Sequence, residues 1–305
     1  MIIKERDSKE EDIKELTALL SLPLPSNKRF LIERELRFMK SGERGEQDSA
    51  YFIDFYHAAS KNWVVVHDLR LEHQGRVAQI DHLLINRFFD IYVLETKNFA
   101  CGIKITDTGE FLVDYHGKYY SIESPIEQNK RHLAVLEEVI GQYDIMPTRL
   151  GITIRPAFHC YVLVSPKSRV IRPAKGRFDT SMVIKADELR TAIDKRFDDM
   201  GNLASLVAGS KMSSLETVQE ATMLLASLHK PIKIDYRKRF GIDDRATATI
   251  RKAETKSTIK ATTGRFYCFK CRKAITEKVA KFCWDNPKRF GGKAYCFNCQ
   301  KDFAK

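Results

Sequence analysis

The sequence predicts an α/β domain followed by a small cysteine-rich module, and three observations carry that reading. Three apolar runs of strand length, "NWVVVHDLRLE", "VAQIDHLLI" and "DIYVLETKN", lie between segments of helical period. A chain of 305 residues is long enough to bury a core in one or two domains. Near the end, Cys268-x2-Cys271 and Cys296-x2-Cys299 stand in a segment of about forty residues, too small to fold on its own core.

The elements follow in order. Residues 9–40 read as helical, with "EEDIKELTALL" and "RFLIERELRFMK" separated by the breaker "SLPLPSN". "SGERGEQDSAYFIDFYHAAS" reads as a further helix, with Ala50, Ile53 and Tyr56 or His57 on one face. The three strands come next, and the turn in "INRFFDI" makes the last two an antiparallel hairpin. "TGEFLVDYHGKYYSI" reads as another hairpin, turning near His116–Gly117. "SPIEQNKRHLAVLEEVIGQY" is a helix, with Ser124 as cap, Pro125 in the first turn and Glu127 completing a capping box. "AFHCYVLVS" and "SMVIKA" are strands, and "DELRTAIDKRF" is a helix. "SSLETVQEATMLLASLHKP" closes the unit, with Ser213 and Glu216 as its box. The expected domains are an N-terminal helical segment (1–40), the α/β domain (41–229), a basic linker (230–264) and a zinc module (265–305).

Charge is unevenly placed. The chain carries +12, yet residues 1–229 hold 31 Lys and Arg against 33 Asp and Glu, and residues 230–305 hold 21 against 7. A basic tail beside a near-neutral domain points to a polyanion, above all nucleic acid; a solvated basic linker is the alternative. No run approaches the roughly 20 apolar residues of a membrane helix. The N-terminus "MIIKERDSKEEDIKEL" has no apolar signal core, so a cytoplasmic protein without membrane contact is expected.

The hairpin carries the first chemical signal. Asp81 opens one apolar run, and Glu95 and Lys97 close the next. Charged groups there are costly unless paired, solvated or bound to metal. Strand alternation sends Glu95 and Lys97 to the same face. Two carboxylates held close repel unless a cation lies between them, and hard oxygen ligands suit Mg²⁺ or Mn²⁺. The backbone carbonyl of Thr96 could add a ligand, and Lys97 could orient a water or stabilise developing charge. A structural salt bridge from Lys97 to either acid is the competing reading.

The ordered blocks "GERGE", "FID", "NWVVVHDLRLEHQGRVAQIDHLLINRFFDIYVLETKNFACGIKI" and "SPIEQNKRHLAVL" resemble the NERD (nuclease-related) domain across roughly residues 40–165. That family belongs to the restriction-endonuclease-like PD-(D/E)xK superfamily. The resemblance implies a central mixed β-sheet flanked by helices and a divalent-metal nuclease site. It places Asp81 at the family's acidic position and Glu95 and Lys97 at the ExK positions. Glu46 takes the acid of the first helix that reaches the metal, and Gln128 the glutamine of the helix after ExK. Glu43 is read as a solvated charge. His67, His73, His82 and His116 are read as packing or surface residues, with His82 pointing away from Asp81. Cys101 and Cys160 are read as buried thiols of a reducing compartment.

The cysteine pairs Cys268, Cys271, Cys296 and Cys299 form a tetrahedral thiolate set for Zn²⁺, whose binding would supply folding free energy. Without a secretion signal, a disulfide framework is the weaker reading, and Cys283 is left as a packed free thiol. The segment looks like a zinc ribbon and is similar to the zinc modules of bacterial type I topoisomerases. Its aromatics, Phe266, Tyr267, Phe269, Trp284, Phe290, Tyr295 and Phe297, lie among cations. Most should form the small core, with Trp284 and Phe290, beside Lys288 and Arg289, as nucleic-acid contacts.

The residues and the resemblance together point to a metal-dependent DNA nuclease whose zinc module and linker bind the substrate, with RNA not excluded. The alternatives are a non-catalytic nucleic-acid-binding or scaffold protein working with a partner such as a helicase, and a zinc-mediated protein adaptor. The basic tail favours either nucleic-acid reading over the adaptor, and a homo-oligomer is compatible with the sequence.

Overall fold

A computed structural model describes residues 1–99, 102–115, 117–199, 201, 212–242 and 266–303, the Lys288 side chain excepted. The chain divides into two compact units, Met1–Ser21 with Ser26–Phe240, and Leu22–Pro25 with Gly241–Lys305. His116 and Cys101 lie outside the described residues.

The first unit is built on a six-stranded mixed sheet. Its strands are β1 (Ile2–Lys4), β2 (Trp63–His73), β3 (Arg76–Asn86), β4 (Asp90–Lys97), β10 (Ala157–Val164) and β12 (Val183–Lys185), in the spatial order β1-β2-β3-β4-β10-β12. The β2–β3 and β3–β4 pairs are antiparallel. The outer pairs β1–β2, β4–β10 and β10–β12 are parallel. A second sheet joins β5 (Ile103–Ile105), β6 (Phe111–Tyr115) and β7 (Lys118–Ile122) to β11 (Val170–Ile171). Two-residue strands β8 (Thr148–Arg149) and β9 (Ile152–Thr153) form a small ribbon.

Helices cover both faces of the main sheet, which is why its strands read as nearly continuous apolar runs. Alternate residues Val64, Val66, Leu83, Ile85, Ile91 and Val93 pack under α3 (Pro125–Gln142), through Val135, Leu136, Val139 and Ile140. The intervening Val65, Leu84, Tyr92 and Leu94 face Ile53 of α2 (Ser26–His57), which follows α1 (Glu10–Leu20), and Leu189 and Ile193 of α4 (Leu189–Asp198). Burying each such aliphatic side chain stabilises the fold by roughly 1.5–3 kcal/mol. The resulting arrangement is the mixed sheet flanked by helices that the sequence predicts.

Three local expectations change. The segments read as separate helices on either side of residue 40 are one continuous α2, because "FMKSGERGE" contains no proline and stays helical through Gly42 and Gly45. The closing helix, α5 (Leu215–Ser227), is capped by Ser214, whose Oγ accepts the Thr217 N–H at 3.1 Å. Ser213 lies one residue before the cap, where its backbone N–H donates to the Arg87 carbonyl at 2.8 Å and its carbonyl accepts from Arg87 Nε. The expected linker also begins later. The Lys230 N–H donates to the Arg70 carbonyl, Asp235 caps the short helix α6 (Tyr236–Arg239), and Tyr236 is fully buried. The stretch 243–264 of that linker lies outside the described residues.

Candidate active site and cysteine centre

The site begins where the central hairpin keeps its register but loses its regular side-chain alternation. Strands β2 and β3 pair through His67–His82 and Leu69–Ile80, with Asp68 and Asp81 between these two pairs and Asp68 in the left-handed region (φ 50°). Side-chain alternation shifts there, so that Leu69 and Leu71 share a face with Val64 and Val66. The β3–β4 ladder stops at His82–Leu94. One step beyond, the Thr96 N–H donates to Asp81 Oδ2 at 2.7 Å, so a carboxylate replaces the missing ladder carbonyl. The strand ends part, and a cleft of about 570 Å³ opens between them and the helices.

Every residue singled out for the nuclease site lines this cleft. Glu46 comes from α2, Asp81 from β3, Glu95, Thr96 and Lys97 from β4, and Gln128 from α3. Glu95 and Lys97 share a face as their spacing requires, with Lys97 Nζ 2.7 Å from Glu95 Oε1. His82 points away, its Nδ1 2.8 Å from Nδ1 of His67, whose Nε2 lies 3.1 Å from Asp54.

The electrostatics of the cleft are those of crowded anions. Burial, then the charges of Glu95 and Glu46, push the Asp81 carboxyl well above its ordinary range, against the Thr96 amide and Lys97. Burial and the neighbouring Asp68 raise Glu46, against Lys9 and Arg6. Glu46 Oε2 and Thr96 Oγ1 are buried without hydrogen-bond partners, although Glu46 Oε2 faces the Arg6 guanidinium at 3.6 Å. Hard oxygen donors of this kind, destabilised by one another's charge, fit a divalent cation of the Mg²⁺ class. The salt bridge expected as the alternative also exists, since Lys97 already pairs with Glu95.

Sequence reasoning missed three contributors. His132 Nδ1 sits 3.4 Å from Glu95 Oε2, and its spacing of four from Gln128 puts both on one helical face. Asn98 donates to the Ser41 carbonyl at 2.9 Å, tying the end of β4 to α2. Gly45 makes that approach sterically feasible, because a Cβ there would lie 2.6 Å from Asn98 Cβ. The "RGE" run held that signal: the glycine lets the helix close on the strand and its neighbour Glu46 enters the cleft.

The second unit holds a different centre. Sγ atoms of Cys268, Cys271, Cys296 and Cys299 lie within 4.8 Å of one another, with Cys271 and Cys296 at 3.6 Å. Among the described residues, no other group of three or more His, Cys, Asp or Glu ligand atoms is gathered so closely. Tetrahedral Zn–S bonds of about 2.3 Å place sulfurs about 3.8 Å apart, so the thiols are compatible with Zn²⁺. Burial opposes ionisation of Cys268, but the backbone N–H groups of Cys271, Cys296 and Lys270 prevail and bring its pKa down to about 6. Cys283 is fully buried and donates to the Tyr295 carbonyl, a packed thiol. The first pair follows the hairpin strand β13 (Phe266–Tyr267), which pairs with β14 (Ala274–Ile275). The second opens a short helix, Phe297–Gln300.

The module's aromatics sort differently from expectation. Phe290 is 1% exposed and packs on Tyr295 and Phe303, so neither of its faces is open to a base. Arg289 is held over that ring and donates to the Phe303 carbonyl. Trp284 is exposed as expected, but so are Tyr267, Phe269 and Phe297, and only Phe290 and Tyr295 of the seven are buried. Lys293 lies 4.0 Å over the ring of Phe269. The Lys288 side chain lies outside the described residues.

No helix among the described residues is long and apolar enough to cross a membrane. No curated protein and no solved structure matches the chain. Residues 41–165 match the family model of NERD, the nuclease-related domain, a span that runs from the middle of α2 to the residue after β10 and contains every residue named above as lining the cleft. Residues 41–165 are therefore similar to a nuclease-related domain, and a separate four-cysteine cluster compatible with zinc lies near the C-terminus.

Proposed function

We propose that this protein hydrolyses phosphodiester bonds of nucleic acid, with DNA as substrate, in the cleft between β3, β4, α2 and α3. The observation that carries the reading is the convergence of Asp81, Glu95 and Lys97 where the hairpin splays, with Glu46 and Gln128 facing them. Asp81, Glu95, Glu46 and the Thr96 carbonyl would hold Mg²⁺ or Mn²⁺. Such an ion polarises a phosphate and lowers the pKa of a bound water. Lys97 leaves Glu95 to orient the attacking water or to meet charge developing on the phosphate. His132 keeps the second Glu95 oxygen in place, and Gln128 offers an amide to the substrate. The C-terminal module, folded around Zn²⁺, and the basic tail add electrostatic affinity, with Trp284, Phe269 and Phe297 as stacking faces.

A non-catalytic nucleic-acid-binding role alongside a partner such as a helicase is the second reading. The Lys97–Glu95 pair favours it, since it already neutralises one acid without metal. The two separate on Glu95→Gln and Lys97→Ala, assayed on labelled DNA and RNA with Mg²⁺, Mn²⁺ or EDTA. A nuclease loses about 10³-fold or more in cleavage in each variant while DNA affinity holds. Cleavage at the wild-type rate in either variant, or none by wild type on any substrate, removes the catalytic reading.

A further inference from the structure

A second cleft of about 430 Å³ adjoins the carboxylate cleft and shares Ser41 and Asn98 with it. Its character is opposite. Lys40 and Arg44 line it from α2, one turn apart on the same stripe, and Lys167 lines it from the loop after β10. All three are exposed, and none makes an ion pair or side-chain hydrogen bond among the described residues. Arg44 leaves even Asp48 unpaired, four residues on and the one acid in the cleft. Hydroxyls of Ser41, Ser165 and Ser168 and the amide of Asn98 complete the lining.

The floor is held in place. Ser168 Oγ donates to the Phe99 carbonyl at 2.7 Å, and Lys185 Nζ donates to the Pro166 carbonyl at 2.8 Å, which fixes the loop bearing Lys167. Asn98 bonds the Ser41 carbonyl at the boundary between the clefts. Three unpaired cations on a fixed, hydroxyl-lined floor suit an anion with several charges in a row. The shared wall makes that anion continuous with whatever occupies the carboxylate cleft.

We propose that this basic cleft seats the backbone phosphates that flank the scissile one, so that a nucleic-acid strand runs from one cleft into the other. The assignment of the strand as substrate rests on the nuclease reading; the binding of a phosphate backbone does not. Lys40, Arg44 and Lys167 are then positioning residues. They supply affinity close to the reacting bond, independently of the basic tail.

The test uses the full chain, a labelled 20-nucleotide DNA in duplex and single-stranded form, and a salt titration in EDTA. Neutralised phosphates release counterions, so the triple variant Lys40→Gln, Arg44→Gln, Lys167→Gln should flatten the log–log salt slope by about 2–3 and weaken binding about 10–100-fold at moderate salt. The charge-conserving Lys40→Arg, Arg44→Lys, Lys167→Arg should keep the wild-type slope, which separates charge from fold. Wild-type affinity and slope in the neutral triple variant would overturn the proposal even if the protein cuts DNA. A flattened slope in a protein that never cuts DNA would uphold the basic cleft and remove only the nuclease reading.

Discussion

The four thiols of the C-terminal module come from two segments of four residues each, Cys268–Cys271 and Cys296–Cys299, whereas the cleft draws its acids from α2, β3 and β4. In the module the ligands precede the core. Phe290, Tyr295, Cys283 and two of the candidate ligands, Cys268 and Cys296, make up its small buried cluster, so a zinc ion held by the four thiols would supply much of the folding free energy. In the first unit the core precedes the ligands. A sheet buried on both faces fixes β3 and β4, and the acids are held together against their own repulsion. The difference teaches that one centre should fail when its metal is removed and the other should not.

Zinc removal should give the largest effect. Structural zinc contributes about 10 kcal/mol or more to small modules, so Cys296→Ser or a strong chelator should unfold residues 266–303. The transition of the first unit should remain. Metal analysis should find about one zinc per chain, and a protease-resistant module after chelation would break the contrast.

Acid should act on the first unit through its buried histidines. Burial, with the charge of Arg190 next, lowers the His57 pKa to about 4. Its ring is buried against Trp63, and the Met1 ammonium donates to its backbone carbonyl. Below about pH 6.5 the unfolded chain takes up a proton that the fold rejects. Stability from His57 is therefore complete above pH 6.5 and lost progressively down to pH 4, by up to about 3 kcal/mol. Denaturant melts of wild type and His57→Phe across that range check the sign. Equal pH slopes would remove His57 as the cause.

Gly45→Ala tests how closely helix and strand must approach. The added methyl meets Asn98 and should cost about 1–3 kcal/mol, while cleavage falls as Glu46 withdraws. Full activity would show that the spacing of α2 from β4 is not what places Glu46.

The smallest effect should come from Asp81→Asn without metal. The Asp81 carboxyl is raised by burial and its acidic neighbours, so its charged form burdens the fold at neutral pH. An amide oxygen still accepts the Thr96 N–H. In EDTA the variant should melt at the wild-type temperature or about 2 °C above it. Mg²⁺ should stabilise only the wild type. Asp81 is a cleaner probe than Glu95, whose charge is already shared by Lys97 and His132. Melting several degrees lower would make Asp81 a structural partner of the Thr96 amide and no more.

What the sequence determined by itself is whatever depends on short spacing. The two CxxC pairs define the cysteine set, and E-x-K fixes Glu95 and Lys97 on one face, because both rest on geometry within four residues. Period and capping likewise place the hairpin and α3, where Ser124 accepts the Glu127 N–H as read. Tertiary structure decided what depends on packing between distant elements. His132 matters only because α3 crosses β4, and Gly45 only because Asn98 meets α2. The continuity of α2 through "SGERG", weak in helix propensity, comes from its buried face against the sheet. Phe290 looked like a contact among its cations, yet it is a large side chain with no polar end, and so small a core buries it. Local chemistry is written in adjacent residues; burial is settled only when the whole chain has found what to bury it against.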